Sequence, residues 1–323
     1  MNRQVTTVQN ADLTVVTVAF GDKWCIDLHR DLADRLNPQT SARWRVIRNL
    51  PRHEADAWEE GGDRYQIVDG AVVPHQHSEV LNQGSFHHAL ALAIGSREIE
   101  TRFVFFVDAD FFVLRPNWYR EVVDHMLERE LSFFGAPYHP RSPWKFRYFP
   151  CAVALFIDRD RVDPTLMDWV PREAPAASPS WNDLIWGKIL AGLGSDWRLH
   201  VEGSLDTGIT VYDRFRSSTD LRSECVVPVL TADSIRARFK SPNQVLLEKL
   251  LPDRFCVLPR RTGYFTDRRF ADLGLPDTHG VHCEEYWWRD VPFGLHLRGA
   301  AAGVKEPGRI SEVLDRHAEA VAA

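Results

Sequence analysis

No stretch of the chain is long and apolar enough to cross a membrane. The most apolar run, Phe103 to Leu114, is too short and is interrupted by Asp108 and Asp110, whereas a spanning helix needs about 20 apolar residues. The first ten residues are polar and lack the apolar centre and small-residue cleavage site of a secretory signal. Cysteines are few: Cys25, Cys151, Cys225, Cys256 and Cys283 are scattered, and no Cys-x-x-Cys occurs. That argues against a disulfide framework or a thiolate zinc site and makes a reducing cytoplasm the expected compartment. Neither Gly-x-x-x-x-Gly-Lys nor Gly-x-Gly-x-x-Gly is present, so kinase and dinucleotide readings lack support. Basic residues are not in excess. With 39 Lys+Arg against 45 Asp+Glu and a net charge of −6, broad nucleic-acid binding is not expected.

What is present is enough for a large core. Apolar residues make up 44% and charged residues 26% of the 323 residues, which excludes disorder as the main state. Leu13 to Phe20 (LTVVTVAF) reads as a buried strand, and Cys25 to Leu36 as a helix stopped by Asn37-Pro38. Arg43 to Ile47 is a short strand, and Pro51 to Asp69 a polar loop or small helix. Val80 to Ile94 has helical spacing and is closed by Gly95. Arg102 to Val107 is the strongest strand, and Trp118 to Arg129 follows as a helix. Leu131 to Ala136, Cys151 to Ile157 and Thr207 to Tyr212 read as further strands. Asn182 to Leu193, Ala232 to Leu251 and the C-terminus read as helices, and Pro171 to Pro179 as a linker. Alternating strands and helices imply an α/β fold with a mostly parallel central sheet flanked by helices. In such sheets ligands bind at the carboxyl ends of the strands.

The strand Arg102 to Val107 runs into Asp108-Ala109-Asp110. Two carboxylates then emerge at a strand end among Phe105, Phe106, Phe111 and Phe112. Ionised carboxylates are costly to desolvate there without a partner. A hard divalent cation completed by phosphate oxygens would supply one. The pattern is not specific by itself: 27 aspartates in 323 residues give roughly two Asp-x-Asp pairs by chance. A rival pair, Asp158-Arg159-Asp160, also follows an apolar strand.

Several segments in order resemble the GT-A glycosyltransferases, which use nucleotide-activated sugars. They are the first strand with its loop Ala19 to Asp22, the helix Gln83 to Leu92, and Asp108-Ala109-Asp110 with FFVLRPNW behind it. Leu205-Asp206-Thr207-Gly208 and the late segment Gly294 to Gly299 (GLHLRG) complete the set. The resemblance implies a single catalytic unit over 1–300, with a donor half to about 116, a mixed acceptor half over 117–300, and a helical tail over 301–323. It implies metal ligation by Asp108, Asp110 and His296, with Mn²⁺ favoured over Mg²⁺ because imidazole is a ligand. Ala19, Phe20, Asp22, His88, Asp108, Ala109 and Arg298 would bind the donor, Arg298 facing its pyrophosphate. An inverting course needs a carboxylate base, for which Asp206 and Asp183 are the candidates. The partners implied are a nucleotide-diphosphate sugar and a carbohydrate or natural-product acceptor. No acidic residue closes the second strand, where Asn49 stands.

Other readings use the same residues differently. A haloacid-dehalogenase-like phosphatase would use Asp108 as nucleophile and Asp110 as general acid, but the later Gly-Asp-x-x-x-Asp motif is missing. A sugar nucleotidyltransferase would need a Gly-rich, Arg-containing first loop, which Ala19 to Lys23 is not. A catalytically inactive carbohydrate-binding protein on the same fold is a further alternative. His279, His282, Cys283 and Glu284 have zinc-like residue types, with His75 and His77 as possible partners. The aromatics Trp144, Phe146, Tyr148, Trp181, Trp186, Tyr286, Trp287 and Trp288 are candidates for an acceptor platform, against core packing as the plain alternative. Arg141 to Tyr148 reads as a loop able to close over an anion.

Overall fold

The computed structural model describes residues 12–19, 23–48, 64–70, 84–139, 149–162, 167–169, 207–216, 218–230, 265–275, 283–297 and 307–322. Its main sheet has seven strands. Four are β1 (Leu13–Ala19), β2 (Arg43–Arg48), β3 (Gln66–Asp69) and β4 (Phe103–Val107), after which β5 (Phe111–Val113) leaves for a second sheet. The others in the main sheet are β6 (Phe133–Ala136), β7 (Ala154–Asp158) and β8 (Ser223–Cys225), in the order β3-β2-β1-β4-β7-β6-β8. All neighbours pair parallel except β7, which is antiparallel to both β4 and β6. The fold is thus mixed α/β with a mostly parallel central sheet. The second sheet is antiparallel, ordered β5-β11-β10-β9, with β9 (Val227–Pro228), β10 (Cys283–Trp288) and β11 (Val291–Leu297).

Alternation along the strands sends successive side chains to opposite faces. Val15, Phe103, Phe105 and Val107 join one core; Val16, Val18, Val104 and Phe106 join the other. Both faces are therefore buried, which is why these strands read as unbroken apolar runs. The first face is covered by α1 (Lys23–Leu36), α3 (Trp118–Arg129) and the second sheet, with α5 (Pro307–Ala322). That last helix adds Ile310, Leu314 and Ala318 to the core and ties to α1 through Arg35 and Asp315, 2.6 Å apart. The other face is covered by α2 (Gly84–Gly95) and α4 (Ile209–Arg216). The approach of α2 requires glycine at its end. A Cβ on Gly95 would lie 2.8 Å from the Ile47 side chain and 3.0 Å from Val16.

Three elements differ from the sequence expectation. Thr207 to Tyr212 does not form a strand: Gly208, at φ 78°, precedes helix α4. Its β-branched residues suggest a strand, but Val211, Tyr212 and Phe215 meet the second core with helical spacing, and packing overrides propensity. The end of the expected polar loop, Gln66–Asp69, is an edge strand whose Ile67 and Val68 are too few to show a period. The hairpin β10–β11 carries continuous burial that masks alternation. It closes on Arg289 and Asp290, both left-handed at φ 51° and 59°, the arrangement of a two-residue type I′ turn. Arg289 is anchored over the Trp288 ring at 4.7 Å and donates to His125 Nδ1 at 2.5 Å. The linker at 171–179, the helices at 182–193 and 232–251 and the loop at 141–148 lie outside the described residues. Among those described, no helix is long and apolar enough to cross a membrane.

His29 of α1 is buried between Trp44 and Phe112, at ring distances of 5.1 and 5.6 Å, and its Nε2 has no hydrogen-bond partner among the described residues. Burial holds its pKa down, at about 3. The folded ring stays neutral while the unfolded chain takes up a proton below its ordinary value of 6.5. Stability is therefore present above pH 6.5 and lost as pH falls towards 3, by up to about 1.4 kcal/mol per pH unit. His29→Phe is expected to flatten that part of the acid limb in urea titrations between pH 6 and 4. An unchanged slope refutes the assignment.

Candidate functional site

Strand order reverses between β1 and β4, because β2 and β3 lie on one side of β1 and β4 on the other. Such a switch point opens a crevice at the carboxyl ends of the two strands. Asp108-Ala109-Asp110 occupies that edge as the turn in which the chain leaves β4 and enters β5 of the second sheet. The turn is closed by the Phe111 amide donating to the Asp108 carbonyl at 3.1 Å. The Asp108 amide donates to Val153 at 3.0 Å, which tethers the turn to the main sheet. The seam between the two sheets is thus built on the two aspartates.

β11 pairs with β5 so that His296 lies opposite Phe111, and the Leu297 amide donates to the Asp110 carbonyl at 2.9 Å. This register brings a residue 186 positions later to the turn. His296 Nε2 lies 3.3 Å from Asp110 Oδ1. One ligand atom each from Asp108, Asp110 and His296 fall within 4.8 Å of one another, the only such group of three or more among the described residues. Both aspartates are partly accessible and the imidazole is nearly buried. Gly294 makes the close strand approach possible: a Cβ there would sit 2.9 Å from the Phe111 ring and from the Phe112 carbonyl oxygen.

The charge balance around His296 is negative. Burial opposes its protonation, but Asp110 and Glu284 outweigh burial and push its pKa up to about 10. Glu284, on β10 opposite His296, accepts from its Nδ1 at 3.0 Å. His88 projects from α2 so that its Nε2 lies 3.3 Å from Asp108 Oδ1. Two carboxylates and an imidazole facing one gap are the donor set of a hard or borderline divalent cation.

Of the residues singled out in the sequence, Asp108, Ala109, Asp110, His88 and His296 are gathered here, and Ala19 ends β1 at the same sheet edge. Phe20, Asp22, Asp183, Asp206 and Arg298 lie outside the described residues, as do His75, His77, His279 and His282. Glu284, grouped above with zinc-like residues, instead serves His296. Sequence reasoning missed that role because it depends on hairpin register. Counting back from Arg289-Asp290 as the turn would put Glu284 opposite Leu295, and it is the β-bulge between Tyr286 and Trp287 that brings it opposite His296, so no sequence signal gave the pair.

The rival Asp158-Arg159-Asp160 is structural. β7 runs antiparallel to β4, pairing Asp158 with Phe103, which puts it at the opposite edge of the sheet. Its carboxylate is buried and receives Arg102 through two bonds, Nε at 3.0 Å and the terminal nitrogen at 2.9 Å, with Arg161 at 3.3 Å. Tyr286, Trp287 and Trp288 are likewise core residues, not an acceptor platform: all three are buried between the second sheet and its covering elements. The other five candidate aromatics lie outside the described residues.

No protein-family model matches the chain, and no curated protein does so. The solved structures it resembles include glycosyltransferases. A mannosyltransferase from Pyrobaculum calidifontis, in complex with GDP-Man and Mn²⁺, is 13% identical at a TM-score of 0.39, over 68% of this chain and 55% of that one. A galactosyltransferase, LgtC, in complex with donor and acceptor sugar analogues, is 13% identical at a TM-score of 0.37, over 76% and 84%. Staphylococcus aureus TarS, residues 1–349, is 12% identical at a TM-score of 0.31, over 45% and 47%. The chain spans about half the length of the mannosyltransferase. At TM-scores below 0.5 these likenesses do not bear on what this chain does, so its own geometry must.

Proposed function

We propose that this chain is a metal-dependent glycosyltransferase, moving a sugar from a nucleotide-diphosphate donor to a hydroxyl of a glycan or natural product. The observation that carries the reading is the convergence of Asp108, Asp110 and His296 at the switch point of the sheet. Two carboxylates suit Mg²⁺ or Mn²⁺, and the imidazole favours Mn²⁺. When bound, such an ion supplies Lewis-acid neutralisation of the charge that develops on a diphosphate leaving group.

The residues divide the remaining work. Asp110 and His296 hold the ion, and Asp108 reaches either the ion or the ribose. His88, on the neighbouring helix, faces the donor sugar or its phosphates. Ala19 with Phe20 and Asp22 borders the base, the Ala109 backbone lines the donor cleft, and Arg298, two residues beyond His296, meets the pyrophosphate. Asp206 or Asp183 takes the acceptor proton in an inverting course. In this reading residues to about 116 hold the donor and those over 117–300 the acceptor, with 301–323 as a helical tail. The setting is cytoplasmic carbohydrate biosynthesis.

A melting series tests the reading. A ligand that binds only the folded state at 100 times its Kd adds about 2.7 kcal/mol of stability. One nucleoside diphosphate is expected to raise Tm by several degrees with Mn²⁺ present and by far less with EDTA. Indifference to GDP, UDP, ADP and Mn²⁺ in every combination refutes it.

A further inference from the structure

The proposed function assigns no role to the buried chain of groups behind His296. Glu284 is buried on β10, where an ionised carboxylate is costly unless paired. Its Oε2 holds His296 Nδ1 at 3.0 Å, and its Oε1 faces Nδ1 of the buried His139 at 3.8 Å. His139 donates from Nε2 to the Val229 carbonyl at 2.6 Å, and the Val229 amide donates to the Glu285 carbonyl at 2.9 Å. The sequence Asp110, His296, Glu284, His139, Val229 therefore runs from the cleft to the backbone of the second sheet.

The neighbouring Glu285 shows what a purely structural carboxylate does in the same strand. It accepts the Phe270 amide at 2.8 Å and pairs with Arg269 at 3.5 Å, which fixes a short 3₁₀ helix. Glu284 faces two histidine rings, one of them at the cleft. A carboxylate can only accept at Nδ1, so it keeps the proton on that nitrogen and leaves Nε2, the atom beside Asp110, to face a ligand. Carboxylates that hold the far nitrogen of a metal-ligating histidine set its tautomer and raise its basicity.

We propose that Glu284 is a positioning residue, holding the Nδ1 proton of His296 so that the Nε2 lone pair points at a divalent cation shared with Asp108 and Asp110. The proposal rests on the metal reading above. The buried His139 ring lies against the second oxygen of Glu284, at 3.8 Å.

The test is a titration of the full chain with Mn²⁺ alone, following free Mn²⁺ by its EPR signal, for the wild type, Glu284→Gln, Glu285→Gln and Asp110→Asn. The expected result is a 10- to 100-fold loss of affinity in Glu284→Gln, as for other such partners. Asp110→Asn should lose binding, and Glu285→Gln should keep wild-type affinity while melting earlier. Wild-type affinity in Glu284→Gln overturns the positioning role and leaves the metal site standing. No Mn²⁺ uptake by the wild type overturns both. If Glu284→Gln fails to fold, the wild type labelled with ¹⁵N-histidine and loaded with Zn²⁺ decides. A protonated Nδ1 and a metal-shifted Nε2 on His296 support the proposal, and the reverse tautomer overturns it.

Discussion

Asp110→Asn is expected to abolish Mn²⁺ binding and lower sugar transfer on the order of 10³-fold, while the protein keeps its fold. The carboxylate sits 3.3 Å from His296 Nε2, in the turn that joins the two sheets. Asparagine preserves the size and one oxygen but removes the charge that a hard divalent cation selects. The fold does not depend on that charge. Both sheets engage the turn through backbone bonds, Asp108 to Val153 and Leu297 to Asp110, which asparagine leaves intact. The change in stability should be about 1 kcal/mol, or 2 to 4 °C in Tm. Product formation, Mn²⁺ EPR and circular dichroism on one preparation check all three statements. Normal transfer by the variant removes the metal assignment.

Asp158→Ala should do the opposite. The residue belongs to the second Asp-x-Asp of the chain, and its buried carboxylate is held by Arg102 and Arg161 at the far edge of the sheet. Removing it leaves Arg102 with Asp160 at 3.0 Å and Arg161 with Glu130 at 3.9 Å, and takes away the buried carboxylate that joined them. Breaking a buried pair costs 3–5 kcal/mol when both partners are desolvated. Here about a third of each arginine side chain stays exposed, and solvent screens what remains, so about 3 kcal/mol is the expected loss. The folded fraction should bind Mn²⁺ with wild-type affinity. Urea unfolding together with the EPR titration checks this. A loss of metal affinity without a loss of stability would reverse the roles given to the two pairs.

The main sheet was legible in the sequence because its strands are buried on both faces. Strands such as Leu13–Ala19 and Phe103–Val107 must then be almost entirely apolar. The helix Trp118–Arg129 was legible for a related reason, since its apolar face repeats at helical spacing. Thr207 to Tyr212 was misread because a short β-branched run carries little information, and contact with the second core made it helical. The strand at Gln66–Asp69 offered only two half-buried residues.

The sequence by itself determined the α/β class and the carboxylate pair at the end of the strongest strand. These depend on local pattern and composition, which a linear reading contains. The sequence favoured Asp108 and Asp110 for their phenylalanine neighbours, and only the tertiary structure showed where the rival pair Asp158-Arg159-Asp160 lies. Antiparallel β7 carries Asp158 to the far edge among arginines, while parallel β4 carries Asp108 and Asp110 to the switch point. It alone also decided that Glu284 stands behind His296. That contact is set by strand register, and a shift of one residue would turn the side chain to the other face of the sheet.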